Sequence, residues 1–437
     1  MKEKIRLLFD ANILSYDYQK TGARSGIFFV AYNLLKELTK YDNIEIGFYV
    51  KPSNILGIHK FVETNSEFSN IPIICKTTFI TYFLGLLEQW KYSCRKLDKK
   101  DNFFKKFVRF FAIRILNFSM QYDFVSKINE KELSKWNIYF SPNQAPPKQI
   151  LTSDNIHRFV LLHDAIPLAL EDYFFNMKIK NTWFRQLYDT LNGNDYYFAN
   201  SEYTKQDFMK YCDKLNPKHI TTTLLGANEN FYPVTDCELI DKIKTKYNIP
   251  KDKKFVFSLC TIEPRKNLIF AVKNFVKFID DNNIDDLVFV MGGGHWQTFL
   301  DLLDKELSGT KDYEDKIIKT GYVDDEDLAA LYSASEMFIY PSVYEGFGMP
   351  VLEAMQCGCA CITSNVTSIP EVIGDAGIQV DPKSDEEMIE AYKKMYYDKN
   401  FQHQCREKAL ERSKTFSWGK CTNIIVDTIK KVVSEDM

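Results

Sequence analysis

The chain has 437 residues, of which 45% are apolar, 26% charged and 15% aromatic, and its formal net charge is −3. That length allows two or three domains with real cores, and the charge gives no global case for nucleic acid binding. No run reaches the roughly 18 uncharged apolar residues of a membrane span. The opening apolar run, about five residues ending at Asp10, is too short for a signal peptide, so a cytoplasmic protein with its ten cysteines reduced is expected.

In chain order, Ile5–Phe9 reads as a first strand, Gly22-Ala23-Arg24-Ser25-Gly26 as a loop, and Ile27–Thr39 has helical spacing. Ile44–Val50, Ile138–Phe140, Arg158–His163 and Tyr196–Ala199 are strand-like. A second series of short strands runs through Phe255–Cys260, Leu287–Met291, Lys316–Lys319, Met337–Tyr340, Ala360–Thr363 and Gly377–Val380. Helical patterns at Asn267–Ile279, Asp325–Ser333, Pro350–Cys357 and Asp385–Tyr397 lie between or after them. Strands separated by helices imply parallel sheets in an α/β fold, and the second series is a doubly wound pattern. Gly226, Pro233 and Pro250 cluster with charges, marking a boundary near 226–252. The expected units are residues 1–225, residues 226–415 and a closing segment 416–437 with a helix over about Ser417–Ser434.

Residues 79–125 differ from the rest. Between Glu88 and Arg114 there are nine Lys/Arg against three acids, Glu88, Asp98 and Asp101, with large apolar residues interleaved. Such a segment can lie on an anionic membrane surface. The plainer reading is a pair of amphipathic helices that cover the first sheet and turn a basic face to water. In Cys357, Cys359 and Cys361 the spacing is not CxxC, and no His lies nearby to complete a metal set. Cys357 reads as a helix end, and Cys359 and Cys361 as part of a small buried strand.

The most informative segment is Tyr340–Asp381. An apolar run ends at Pro341, and a Gly-rich turn, Glu345-Gly346-Phe347-Gly348, follows. Gly346 and Gly348 let backbone approach a ligand. Pro350 suits a first helical position, so the N–H groups of Val351 and Leu352 are expected to point out of the helix start and hold a phosphate. Glu345 should project into the same crevice, and Glu353, one turn into the helix, should reach vicinal hydroxyls. Upstream, Glu263-Pro264-Arg265-Lys266-Asn267 follows a strand and opens a helix, where adjacent cations can neutralise a diphosphate.

The turn E-G-F-G-M-P-V-L-E (Glu345–Glu353), preceded by E-P-R-K-N, resembles the retaining glycosyltransferase family 4. The resemblance extends to TGYVDDEDLAALY (Thr320–Tyr332), SNVTSIPEVIGDAG (Ser364–Gly377) and the FSW of Phe416–Trp418. In the first half, LLHDAIPL (Leu161–Leu168) and the SEYTK segment look like the mannosyltransferase-like branch. The family implies the GT-B fold: two Rossmann-like, doubly wound domains facing a central cleft, with the last helix crossing back to the first. It implies retaining transfer of a hexose from a nucleotide-sugar. The HDAIPL region suggests GDP-mannose or another GDP/UDP-hexose as donor. A saccharide or lipid-linked acceptor in cell-surface polysaccharide or lipopolysaccharide assembly follows.

Carried onto this sequence, the resemblance implies that Arg265 and Lys266 hold the donor diphosphate. Glu345, with the backbone of Gly346, Phe347 and Gly348, holds sugar hydroxyls. Met349 to Leu352 form the helix start, and Glu353 holds the ribose. Tyr322 and Val323 flank the base. The loop from Gly22 to Gly26 borders donor phosphate and acceptor, although Ala23 and Arg24 interrupt the family's Gly-Gly pattern. His163, with Asp164 beside it, sits against the transferred sugar. Asp325-Glu326-Asp327 is only nominally a metal signature and looks like an acidic helical turn. Neither a metal nor a cofactor beyond the nucleotide-sugar is expected, and no nucleic acid partner. The alternatives are another GT-B enzyme, such as an epimerase, and a non-catalytic sugar-nucleotide-binding scaffold.

Overall fold

A computed structural model describes residues 4–435 except 20–25, 76–77, 94–106, 108–109, 116–127, 171–182, 262, 295–300, 304 and 307–312. Gly22 and much of the basic-aromatic segment lie outside the described residues. The twelve described strands form two sheets of six, all parallel. The first contains β1 (Ile5–Asp10), β2 (Ile44–Tyr49), β3 (Ile138–Ser141), β4 (His157–Leu162), β5 (Tyr196–Ala199) and β6 (Ile220–Thr222), in the order β2-β1-β3-β4-β5-β6. The second contains β7 (Lys254–Leu259), β8 (Leu287–Gly292), β9 (Ile317–Gly321), β10 (Met337–Tyr340), β11 (Cys361–Ser364) and β12 (Gly377–Val380), in the order β12-β11-β10-β7-β8-β9.

The strands read as unbroken apolar runs because helices cover both faces of each sheet. Leu287-Val288-Phe289-Val290-Met291-Gly292 is buried along its whole length. Helix starts follow capping chemistry. Ser384 Oγ accepts the Glu387 N–H ahead of Asp385–Tyr397, whose first turn holds three acids matched to the helix dipole. The expected Cys357–Cys361 arrangement is present: Cys357 caps the Met349–Gln356 helix, Gly358 turns the chain at φ 67°, and Cys359 and Cys361 are buried.

Several elements were not anticipated. Ile220–Thr222 forms a sixth strand although two of its three residues are polar. Asn12–Gln19, Ile55–Thr64 and Lys399–Ser413 are helices, the last polar on most of its surface. The helix Cys237–Lys246 occupies the middle of the stretch read as a boundary.

The last helix, Trp418–Glu435, crosses back and packs against Gly26–Leu38 of the first half. The hydroxyl of Tyr41 donates to Asn423, and Thr223 Oγ1 donates to the Cys421 carbonyl at 3.2 Å. Gly226 makes the crossing possible. A Cβ placed there would lie 2.2 Å from the Trp418 nitrogen and 2.4 Å from its ring. We expect Gly226→Ala to destabilise the fold by about 1–3 kcal/mol through forced displacement of Trp418, visible as a lower thermal unfolding midpoint with the indole fluorescence changed.

Candidate active site

Strand order sets the position of the chemistry. In the second sheet the order reverses between β7 and β10, and ligands of open α/β sheets settle in the crevice at such a reversal. The loop leaving β7 carries Arg265 and Lys266 in a short 3-10 turn, Pro264–Lys266, closed by Asn267 at φ 56°. The loop leaving β10 carries Ser342, Tyr344 and Glu345. The two loops are stitched by backbone: the Val343 N–H and Ser342 Oγ donate to the Arg265 carbonyl at 2.8 and 3.0 Å.

Side chains complete the connection. Lys266 Nζ lies 2.6 Å from Glu345 Oε1 and 2.7 Å from the Tyr340 hydroxyl, above that ring at 5.0 Å from its centroid. Arg265 Nη1 reaches Glu345 Oε2 at 2.9 Å and the Tyr344 carbonyl at 3.0 Å, while its Nε holds Glu263 at 2.8 Å. Glu345 Oε1 also accepts from Tyr340 at 2.9 Å and from Ser342 at 2.7 Å. Burial would raise the Glu345 carboxyl, but Lys266 and Arg265 outweigh it and hold the group at about 2. On Arg265 burial disfavours the charge, and Glu345 and Glu263 more than reverse it. Glu345 therefore orients both cations, and Glu263 adds a second negative charge at Arg265.

The first domain meets this cluster through the segment after β4. His163 Nε2 lies 2.6 Å from the Pro142 carbonyl. Burial lowers the imidazole to about 4, only partly offset by that bond, so the ring is neutral near pH 7. A carbonyl can only accept, so Nε2 carries the proton and Nδ1 is left as an acceptor. Asp164 accepts the Ile166 N–H at 3.1 Å. Burial raises Asp164 to about 6; Arg265 and Lys266 lower it and Glu345 raises it, which sets it facing the cluster.

Gly346 is the contact point between the halves. A Cβ there would lie 1.8 Å from the His163 carbonyl oxygen and 2.8 Å from Asp164 Cβ. The Gly346 carbonyl accepts from Ser201 Oγ at 2.7 Å and Thr204 Oγ1 at 3.0 Å. Glu371 receives the N–H groups of Glu202 and Tyr203 at 2.8 and 2.7 Å, capping the Glu202–Tyr211 helix from the other domain. Tyr344 donates its hydroxyl to Asp207.

Glu353 faces a cavity of 660 Å³ lined also by Gly26, Asn228, Asp325 and Met349. Tyr332 donates to it at 3.1 Å. Burial raises its carboxyl to about 7, Tyr332 lowers it and Asp325 adds to the rise. Tyr322 is exposed.

Two expectations are corrected. The helix begins at Met349, one residue before Pro350, so the Val351 and Leu352 N–H groups are inside its first turn and donate to the Gly348 carbonyl at 3.0 and 3.3 Å. They do not point outward, and both side chains are in the core. Val323 is buried in the core against β8, so its side chain does not present a flat surface to a base. The Phe347 side chain packs edge-on against Phe416 at 6.0 Å, which leaves the expected role of its backbone unaffected. Asp327, the last acid of the nominal metal signature, is held by Lys246 at 2.5 Å and Tyr247 at 2.7 Å.

Sequence reasoning missed Tyr340 and Ser342 as partners of Glu345, and Ser201, Thr204 and Glu371 as the domain seam. Ser201 carried a signal, since it heads the SEYTK segment as a helix cap. Gly293, with φ 133° and a Cβ position 1.8 Å from the Cys260 carbonyl, lets β8 pass the β7 loop. The Gly292-Gly293-Gly294 run was visible and unused.

Residues 240–412 match the family described as Glycosyl transferases group 1. The serotype-specific mannosyltransferase WbdA of Escherichia coli is 30% identical over 275 residues, 62% of this chain and 33% of that protein. The O-antigen chain mannosyltransferase B of Escherichia coli is 29% identical over 248 residues, 56% of this chain and 63% of that protein. The chain thus spans between a third and somewhat under two thirds of these relatives. Sucrose-phosphate synthase from Thermosynechococcus elongatus superposes with a TM-score of 0.63 at 16% identity, covering 99% of this chain and 100% of that one. The architecture is GT-B, two Rossmann-like domains, as the motifs implied.

The raised Asp164 gives a prediction with a definite sign. Its folded-state value, about 6, lies above the ordinary 3.8, so the folded protein resists its ionisation. That penalty is absent well below 3.8 and complete above about 6. Asp164→Asn should therefore stabilise the protein by about 1–3 kcal/mol near pH 7 and leave it unchanged near pH 3. Thermal unfolding midpoints of both proteins across this range check it.

Proposed function

We propose that this chain, whose residues 240–412 form a group 1 glycosyltransferase domain, is a retaining hexosyltransferase of cell-surface polysaccharide synthesis. The donor is a nucleotide-diphosphate sugar, GDP-mannose or another GDP/UDP-hexose, and the acceptor a saccharide or lipid-linked saccharide. Residues 226–415 take the donor and residues 1–225 the acceptor. The observation that carries the reading is the convergence of Arg265, Lys266 and Glu345 at the strand-order reversal, facing Asp164 of the other domain. Its mannosyl specificity leans on the relatives named mannosyltransferases.

As the glycosidic bond to the donor breaks, negative charge gathers on the diphosphate. Arg265 and Lys266 neutralise it, already aimed by Glu345 and so requiring little reorganisation. The remaining oxygen capacity of Glu345 meets hexose hydroxyls, and Glu353 with its cavity takes the ribose. His163 accepts a hydroxyl hydrogen at Nδ1. With its imidazole held near 4 it is too weak a base to take the acceptor proton at neutral pH. In our reading that proton passes to the departing phosphate oxygen on the same face, so the configuration is retained without an enzyme nucleophile. The two cations provide leaving-group stabilisation in place of a metal. The nine cysteines among the described residues are all free, which suits a reducing, cytoplasmic setting.

Incubation with radiolabelled GDP-mannose, GDP- and UDP-hexoses and a lipid-linked saccharide tests this. The expected result is labelled, elongated acceptor with the donor's anomeric configuration, unaffected by EDTA. Epimerised donor, donor binding without turnover, or EDTA inhibition reversed by Mg²⁺ would count against the corresponding part. Arg265→Ala should lower kcat by about 10²–10³-fold, the usual cost of one lost charge-stabilising donor. Glu345→Ala should cost more, because it releases both cations at once.

A further inference from the structure

We infer that the outer face of the helix Phe79–Ser93, together with residues 110–115, is a docking surface for an anionic lipid bilayer. The helix buries polar residues beside Leu84 and turns large apolar ones outward, unlike a surface helix in water. Thr81 and Glu88 face inward and are 2% and 5% exposed, while Phe79, Phe83 and Leu86 are 84%, 45% and 43% exposed. Those three recur at i, i+4 and i+7, so they form one stripe. The helix is seated firmly on its inner side: a Cβ on Gly85 would lie 2.8 Å from Leu56 of the Ile55–Thr64 helix. The exposed stripe is thus fixed outward by packing beneath it.

A second exposed group lies further along the chain. Phe110 and Phe111 are over half exposed, with ring centroids 6.4 Å apart, and the Arg114 guanidinium lies 5.1 Å from the Phe110 centroid. The described outward side chains of Phe79–Ser93 are apolar. Exposed apolar clusters of this kind mark contact sites. Charge selects the occupant. The sequence from Glu88 to Arg114 carries an excess of six positive charges within a chain of net charge −3. Lysine is depleted from protein interfaces, whereas aromatic residues with surrounding Lys/Arg suit the interface of an anionic membrane. Among the described residues no helix is long and apolar enough to cross a membrane, so contact would be at the surface.

The location fits an acceptor held in lipid. The helix packs against the Pro52–Asn54 turn, which follows the carboxyl end of β2. The surface therefore borders the end of the first sheet where that domain opens to its partner.

Co-sedimentation of the full chain with phosphatidylcholine vesicles, with and without phosphatidylglycerol, tests the inference. The expected result is at least a tenfold preference for phosphatidylglycerol, weakened by salt. The triple variant Phe79→Ser, Phe83→Ser, Leu86→Ser should lose at least tenfold in binding with its far-UV circular dichroism unchanged. Should that variant fold poorly, Lys105→Gln with Lys106→Gln is read instead, and should reduce the anionic preference while the aromatics remain. Equal failure to bind both vesicle types overturns the inference. So does wild-type binding by a folded variant, or a dimer in solution that the triple substitution dissociates, which would assign the face to a second copy. No donor is needed for the assay, so its failure leaves the transferase reading untouched.

Discussion

The site depends on one shared carboxylate. Arg265 and Lys266 are consecutive residues of like charge, brought to a largely buried crevice where each ion would be costly alone. Glu345, arriving from a different strand, binds both, and Tyr340 and Ser342 add two hydrogen bonds at its Oε1. The same contact fastens the loop after β7 to the loop after β10 on either side of the strand-order reversal. Stability and chemistry are thus supplied by the same three side chains. Asp164, arriving from the first domain, is raised to about 6 by burial and faces the same cluster.

The glycine turn divides its work residue by residue. Gly346 allows the first domain's backbone to touch the second. Phe347 points the other way and anchors the return segment at Phe416. Gly348, at φ 115°, begins the helix whose side carries Glu353 to a separate wall of the cleft. Four consecutive positions therefore connect the cationic cluster, the domain seam, the closing helix and the cavity beside Glu353.

Much of the architecture was legible because buried parallel strands are written as short continuous apolar runs between helical patterns. β6 escaped because Ile220-Thr221-Thr222 is short and polar, and its pairing with β5 depends on tertiary context. The Arg265, Lys266 and Glu345 cluster was legible from residue type and position at strand ends, but its internal pairing was not. Sequence spacing does not say that these two cations will share a carboxylate arriving from another strand. Pro350 drew the helix start one residue too late, and that single step changed which N–H groups were taken as free. Val323 beside exposed Tyr322 follows the alternation of extended chain, which an even weighting of the two residues overlooked. His163 meets Pro142, just past the end of the adjacent strand β3, a contact that no local pattern encodes. The outward aromatics of Phe79–Ser93 were equally hidden, since composition reports a basic, apolar segment without saying which side faces the protein.

The seam between the halves is made chiefly of hydroxyls, carbonyls and the Glu371 carboxylate lying over the tip of the Glu202–Tyr211 helix. Such groups find water an acceptable substitute, because every bond broken on parting can be replaced by hydration. A greasy junction would penalise separation through newly wetted hydrocarbon. Parting of the halves at this seam would therefore exchange protein hydrogen bonds for water bonds at a modest energetic imbalance.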